Sequence, residues 1–153
     1  MSTRSQIKVK GSEIMIYKHS DGYPSEVMPT LTEVMTQFIV ERGNEPDYAL
    51  AQIMRAFARR DEKRRQEILN EYENQLDKWE GEEDEPEYEM LKMNKLIYED
   101  HSMTGWGLDT VRHGDIEYLY LVDLELGVIV IYSGYGGSME EDEIVSLRRN
   151  NNE

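Results

Sequence analysis

Apolar and polar positions alternate most regularly between His113 and Asp123. Ile116, Tyr118, Tyr120 and Val122 fall on one side of an extended chain, and Glu117, Leu119 and Leu121 on the other. This period and the aromatic and β-branched content predict a strand. A turn at Leu124-Glu125-Leu126-Gly127 leads into Val128-Ile129-Val130-Ile131-Tyr132. The second run is apolar at every position, which predicts a central strand covered on both faces, and the hairpin is expected to organise the rest of the fold. Near the start, Ser5, Ile7 and Val9 alternate with Gln6, Lys8 and Lys10; Lys10-Gly11-Ser12 signals a turn, and Glu13 to Lys18 reads as the returning strand. A further strand is expected over 108–112. The acidic stretch from Ser138 and the end, Arg148 to Glu153, are expected to fray.

The middle of the chain changes period. Thr30 with Glu33 three residues later reads as a capping box after Pro29, and Leu31, Val34, Met35, Phe38 and Ile39 give a helical stripe that Gly43 closes. A second helix is expected from Pro46, a good first-turn residue, with Leu50, Ile53, Met54 and Phe57 facing a core. Large apolar residues are missing from Ala58 to Gln66 and resume at Ile68, Leu69, Tyr72, Leu76 and Trp79. Either one helix runs from 46 to about 80, roughly 50 Å long, or the helix breaks near Asp61-Glu62. Seven acidic residues lie between Glu80 and Glu89 with no basic one, which predicts a solvated loop or mobile segment. Tyr88, Leu91, Met93, Ile97 and Tyr98 then favour a short helix. The expected fold class is α+β: a mainly antiparallel sheet from the two ends of the chain, with helices from the middle packed on one face, in a single domain 1–153 carrying a charged helical insertion and acidic loop at about 58–89.

Composition sharpens this picture at three points. The 153 residues include no cysteine, which removes disulfides, thiolate metal sites and a cysteine nucleophile, and fits a cytoplasmic, reducing location. No apolar run reaches the ~18 residues of a membrane span, and no apolar signal segment follows Met1-Ser2-Thr3-Arg4. The net charge of −15 repels nucleic-acid phosphates and anionic lipid, so nucleic acid is an unfavourable partner and a basic protein a favourable one.

Two short motifs carry candidate chemistry. His19-Ser20-Asp21 and His113-Gly114-Asp115 each place imidazole and carboxylate two residues apart, on one side of an extended chain. Brought together, they would suit a divalent metal or proton transfer. Both also stand at strand–turn junctions, where Asp caps turns and His bonds backbone. The glycine-rich stretches Gly105-Trp106-Gly107 and Gly134-Tyr135-Gly136-Gly137 read as tight turns carrying aromatics, or as an aromatic rim around a pocket; neither has the frame of a phosphate loop. The apolar residues Tyr72, Leu76 and Trp79, with the nearby Arg59, Arg60 and Arg64, are the candidate partner-binding or self-association element, with packing against 88–98 as the internal alternative.

Thr3-Arg4-Ser5-x-Ile7, Tyr17-Lys18-His19-Ser20-Asp21-Gly22-Tyr23-Pro24, Gly105-Trp106-Gly107 and His113-Gly114-Asp115-Ile116-Glu117-Tyr118 together resemble a family of small uncharacterised proteins of bacteria and their phages. The resemblance covers about a third of the chain, at its two ends, and the charged stretch 58–89 reads as an insertion. It implies no reaction, cofactor or metal. It does imply that Arg4, His19, Asp21, Tyr23, His113, Asp115 and Glu117 form one cluster. The expected function is that of a non-enzymatic acidic binding protein, such as a phage-type inhibitor of a host factor, acting through a protein partner or as a homo-oligomer. The alternative is a small-molecule- or metal-dependent activity at the two His-x-Asp motifs.

Overall fold

The computed structural model describes residues 3–100, 105–134 and 139–147. Among these, three helices and six strands follow one another: β1 Ser5–Val9, β2 Met15–Lys18, α1 Pro24–Arg42, α2 Pro46–Asp77, α3 Pro86–Asp100, β3 Trp106–Asp109, β4 Tyr118–Asp123, β5 Val128–Ser133 and β6 Glu140–Ser146. The strands make one sheet in the order β3-β2-β1-β4-β5-β6. Every neighbouring pair is antiparallel except β1–β4, which is parallel. The fold is α+β, with the sheet supplied by the two ends of the chain and helices packed on strands.

The chain divides into two compact units, one drawn from Met1–Ala56 and Gly105–Glu153, the other from Phe57–Thr104. The first boundary of the second unit falls inside α2.

In the first unit, register puts Ile7, Ile16, Tyr120, Val122, Ile129 and Ile131 on one face of the sheet, and all six are buried. The buried α1 stripe Val27, Leu31, Met35 and Phe38, with Ala49, Leu50 and Ile53 at the start of α2, completes this core. Each fully buried aliphatic side chain of this kind contributes about 1.5–3 kcal/mol. The opposite face of β5 is only half-buried at Val128, Val130 and Tyr132, so the strand, second from the β6 edge, is neither central nor fully covered.

Helix α1 begins seven residues before the capping box predicts. Pro24 occupies the first helical position, where its fixed φ helps and its missing N–H costs nothing; Tyr23 stands before it, and no side chain caps the end. The chain passes through Thr30 as helix, so Thr30 and Glu33 do not cap it. Helix α2 is a single helix through Asp61-Glu62. No glycine or proline interrupts 47–80, and Arg65 and Gln66 both bond the Glu62 carboxylate at one-turn spacing.

Two further expectations need correction. The predicted strand over 108–112 lies at Trp106–Asp109, because β3 takes its register from β2, with Trp106 opposite Lys18 and Asp109 opposite Met15. The acidic stretch after Ser138, expected to fray, is the edge strand β6: it pairs along β5 from Ser133–Glu140 to Val128–Ser146, with an irregularity beside Ile131 and Tyr132. Charged side chains on an edge strand hinder edge-to-edge pairing with other chains. Residues 135–137 of the second glycine-rich stretch and the end 148–153 lie outside the described residues.

In the second unit the end of α2 and α3 run antiparallel. Tyr72 meets Tyr98 at 5.9 Å and Trp79 meets Tyr88 at 5.5 Å between ring centroids. The Arg65 guanidinium donates to the carbonyls of Tyr98 and Glu99, both at 2.7 Å, satisfying acceptors left open at the end of α3. The acidic run is split between a turn and a helix. The Trp79 indole donates to the Glu82 carbonyl at 3.1 Å and the Glu82 N–H to the Glu85 carboxylate at 3.2 Å, closing the turn. Glu87 and Glu89 then lie in the first turn of α3, where the helix dipole favours negative charge.

Candidate functional site

The open face of the sheet carries the cluster that the sequence motifs point to. Strands β3 and β4 run in the same direction but are separated by β2 and β1. Residues 110–117 must therefore cross those two strands. Two side chains receive the crossing segment: Gln6 on β1 and its cross-strand partner Tyr17 on β2. Gln6, fully buried, donates from Nε2 to the Val111 carbonyl at 3.0 Å and accepts the His113 N–H on Oε1 at 2.9 Å. Tyr17 stacks under the His113 ring, 4.6 Å between centroids at 23°.

His113 is oriented by Asp109. The ring Nε2 and Asp109 Oδ2 are 2.5 Å apart, four residues separated, at the end of β3. Asp109 Oδ1 accepts the N–H groups of Thr110 at 2.7 Å and Val111 at 3.1 Å. The His113 hydrogen bond first, and these two backbone bonds after it, hold the Asp109 carboxyl below its ordinary value. On the other side of Tyr17, its hydroxyl and His19 Nδ1 share a hydrogen bond at 3.3 Å, and the ring centroids are 6.2 Å apart. Burial, and then the Asp115 carboxylate, push the Tyr17 phenol up, so it remains a donor at neutral pH. Arg4 closes the cluster by an ion pair from Nη1 to Asp115 Oδ2 at 2.9 Å, while its carbonyl accepts the Glu117 N–H at 2.8 Å.

The seven residues of the sequence cluster thus separate. Arg4 and Asp115 pair directly, and His19 and His113 contact the same Tyr17 ring. Glu117 joins through its backbone. Asp21 and Tyr23 make no contact with these groups among the described residues. Asp21 adopts a left-handed backbone, φ 54°, and shapes the turn into Gly22; Tyr23 precedes α1. Among the described residues, no three His, Asp or Glu side chains are placed to hold a metal ion.

Sequence reasoning missed Gln6, Tyr17 and Asp109. The Asp109-x-x-x-His113 spacing was a weak signal. Tyr17 lay in the quoted Tyr-x-His motif, on the same side of the extended chain as His19.

An Asp-oriented imidazole is equipped to move a proton. Here, though, the Gln6, Asp109 and Arg4 bonds all tie the crossing segment to the strands or their ends, which is the work of a staple. Its pH response follows from Asp109. A carboxyl held low in the folded state adds stability above its unfolded value, near 3.9. That stability is lost as pH falls through the folded value. Melting curves of the wild type and Asp109→Asn between pH 6 and 2 should differ most at pH 6 and converge below about pH 4. A constant difference across the range would exclude ionised Asp109 as the source.

The candidate partner residues are also engaged within the chain. Tyr72 and Trp79 face the α3 rings, as the internal alternative holds, and Leu76 is half-buried. Arg60 pairs with Asp61 at 3.0 Å and lies over the Phe57 ring; Arg59 and Arg64 are exposed. Exposed apolar residues recur along α3, where Met90 and Met93 are each 64% exposed, Leu96 59% and Ile97 49%; others, such as Val40, Leu108, Val111, Leu126 and Ile144, lie in the first unit. No helix among the described residues is long and apolar enough to cross a membrane. The chain matches no protein-family model, no curated protein and no solved structure.

Proposed function

We propose that this chain is a non-enzymatic acidic binding protein that holds a basic protein partner on the outer face of α3. One observation carries the reading: Met90, Met93, Leu96 and Ile97 recur at helical spacing and are all exposed, while Tyr88 and Tyr98 of the same helix meet the α2 rings. Contiguous exposed apolar side chains of this kind mark interaction surfaces. Methionine side chains adapt to irregular partners. The net charge of −15 selects the partner's sign and would steer its approach in a salt-sensitive way. A second copy is less favoured, because two such chains repel. The resemblance to phage proteins favours a host factor as the target, and the cysteine-free sequence suits a cytoplasmic encounter.

The test uses a basic amphipathic helical peptide and the methionine methyl signals of the labelled protein. Expected are saturable shifts at Met90 and Met93, weakening as salt rises. The Met93→Glu, Ile97→Glu variant should lose binding while its circular dichroism stays native. Equal binding by that variant, or shifts confined to other methionines, would remove α3 as the surface.

The second reading, a small-molecule- or metal-dependent activity, draws on the Asp109–His113 pair. It requires that tag-free protein bind a metal or ligand in a way that His113→Ala abolishes.

A further inference from the structure

An open groove of about 640 Å³ runs between α1 and the β5–β6 edge of the sheet, within the first unit. Its size lies in the range of ligand-binding clefts, roughly 300–1,000 Å³. The apolar part is Met28 from the helix and Ile131 and Val145 from the strands. Ile131 is buried, so the floor belongs to the core and is not a loose surface feature.

The polar groups presented there are weighted toward acceptors. Glu33 on α1 and Glu143 on β6 line the groove from its two sides, and neither is engaged by a cation among the described residues. A third acceptor follows from the sequence. Pro29 lies inside α1 and has no N–H, so the Ser25 carbonyl four residues earlier lacks its usual helical donor. Ser25 and Pro29 both line the groove. Two carboxylates and a carbonyl beside an apolar floor call for a ligand that is cationic, rich in donors and carried on an apolar stem. A guanidinium fits best: it has five N–H donors in a planar fork, is weakly hydrated, and sits on an aliphatic chain.

We propose that this groove takes an arginine side chain, with its apolar neighbours, from an extended segment of a protein partner. Opposite charge across an apolar cleft is the argument for that occupant. The site is separate from α3 and does not depend on the reading given to that helix.

The probe is a blocked hexapeptide with one arginine among leucines and prolines, compared with the same peptide carrying neutral citrulline. Amide shifts of the labelled protein report the site. The arginine peptide is expected to shift residues 25–33 and 143–145 saturably. Citrulline should bind about tenfold more weakly, the discrimination expected of charge-assisted hydrogen bonds. Glu33→Gln with Glu143→Gln should reduce the arginine peptide to the citrulline level while the amide spectrum stays folded. The Met93→Glu, Ile97→Glu protein should bind the hexapeptide unchanged, so the two surfaces stand or fall apart. Equal affinity for the two peptides, shifts elsewhere, or no shift at millimolar peptide would each overturn the proposal. So would hexylguanidinium binding as tightly as the peptide, since the occupant would then be a small cation.

Discussion

Replacing Gln6 by leucine is expected to cost the fold about 2–6 kcal/mol, because two polar groups of the crossing segment lose their partners at once, at ~1–3 kcal/mol each. The Val111 carbonyl loses the Gln6 Nε2 donor and the His113 N–H loses the Oε1 acceptor, while the side chain that served them is fully buried. The leucine fills the volume, so the loss reports the bonds and not a cavity. Urea denaturation measures it as a shift in midpoint with the slope unchanged. Gln6→Glu makes the complementary test. It keeps an acceptor for the His113 N–H, removes the donor to Val111 and buries a charge, so it should also destabilise, and most at high pH where the carboxyl is ionised. A Gln6→Leu protein within ~0.5 kcal/mol of wild type, the range of ordinary surface changes, would mean that 110–117 is held by something else. Loss of the Tyr17–His113 stacking from the aromatic NMR signals should accompany the destabilisation.

Gly22→Ala should destabilise by about 1–3 kcal/mol, the usual cost of overpacking. An added Cβ would stand 2.4 Å from Ser5 Oγ, 2.7 Å from Ser5 Cβ and 2.9 Å from the Thr3 carbonyl oxygen. The backbone around Gly22 is fastened on both sides: its N–H donates to Thr3 at 2.9 Å, and its carbonyl accepts the buried Tyr120 hydroxyl at 2.6 Å. Burial, with Tyr118 adding to it, pushes the Tyr120 phenol far above its ordinary value, so this donor stays protonated at any working pH. The turn therefore cannot move away from the clash without breaking a buried bond. Two controls isolate the cause. Gly114→Ala, where an added Cβ meets nothing, should be neutral. Ser5→Gly combined with Gly22→Ala removes the two shortest contacts and should recover part of the loss; no recovery would place the cost in the backbone rather than in the contact with Ser5.

Both expectations bear on how the Asp-Gly and His-x-Asp motifs are to be understood. In the first motif, Asp21 supplies a left-handed turn and Gly22 a close approach to β1. The carboxylate that orients His113 comes from Asp109, at the end of another strand. Two motifs that look alike in the sequence thus have different physical work. The surface proposed for a partner lies on α3 rather than α2 for a similar reason. Tyr72 and Trp79 are the large apolar groups at the end of α2, so α3 packs its tyrosines on them and leaves its methionine side exposed.

The sequence by itself determined whatever depends on a local period or a local backbone preference. Alternation over Tyr118–Val122 and over Ser5–Val9 made strands, while His113 to Glu117, read as part of the same strand, lie in the crossing segment. The stripe from Leu31 to Phe38, and the glycine- and proline-free stretch of α2, made helices, because side-chain spacing and main-chain propensity act over neighbouring residues. Only the tertiary structure decided the rest. The carboxylates of 140–143 lack the apolar alternation of a strand, and β6 exists because β5 offers its backbone donors and acceptors. The parallel pairing of β1 with β4 sends 110–117 over the sheet and brings Asp109, His113, Tyr17 and Gln6 together from three parts of the chain. Such contacts depend on strand order and direction, which are set by how the whole core packs and leave no period in the residues that make them.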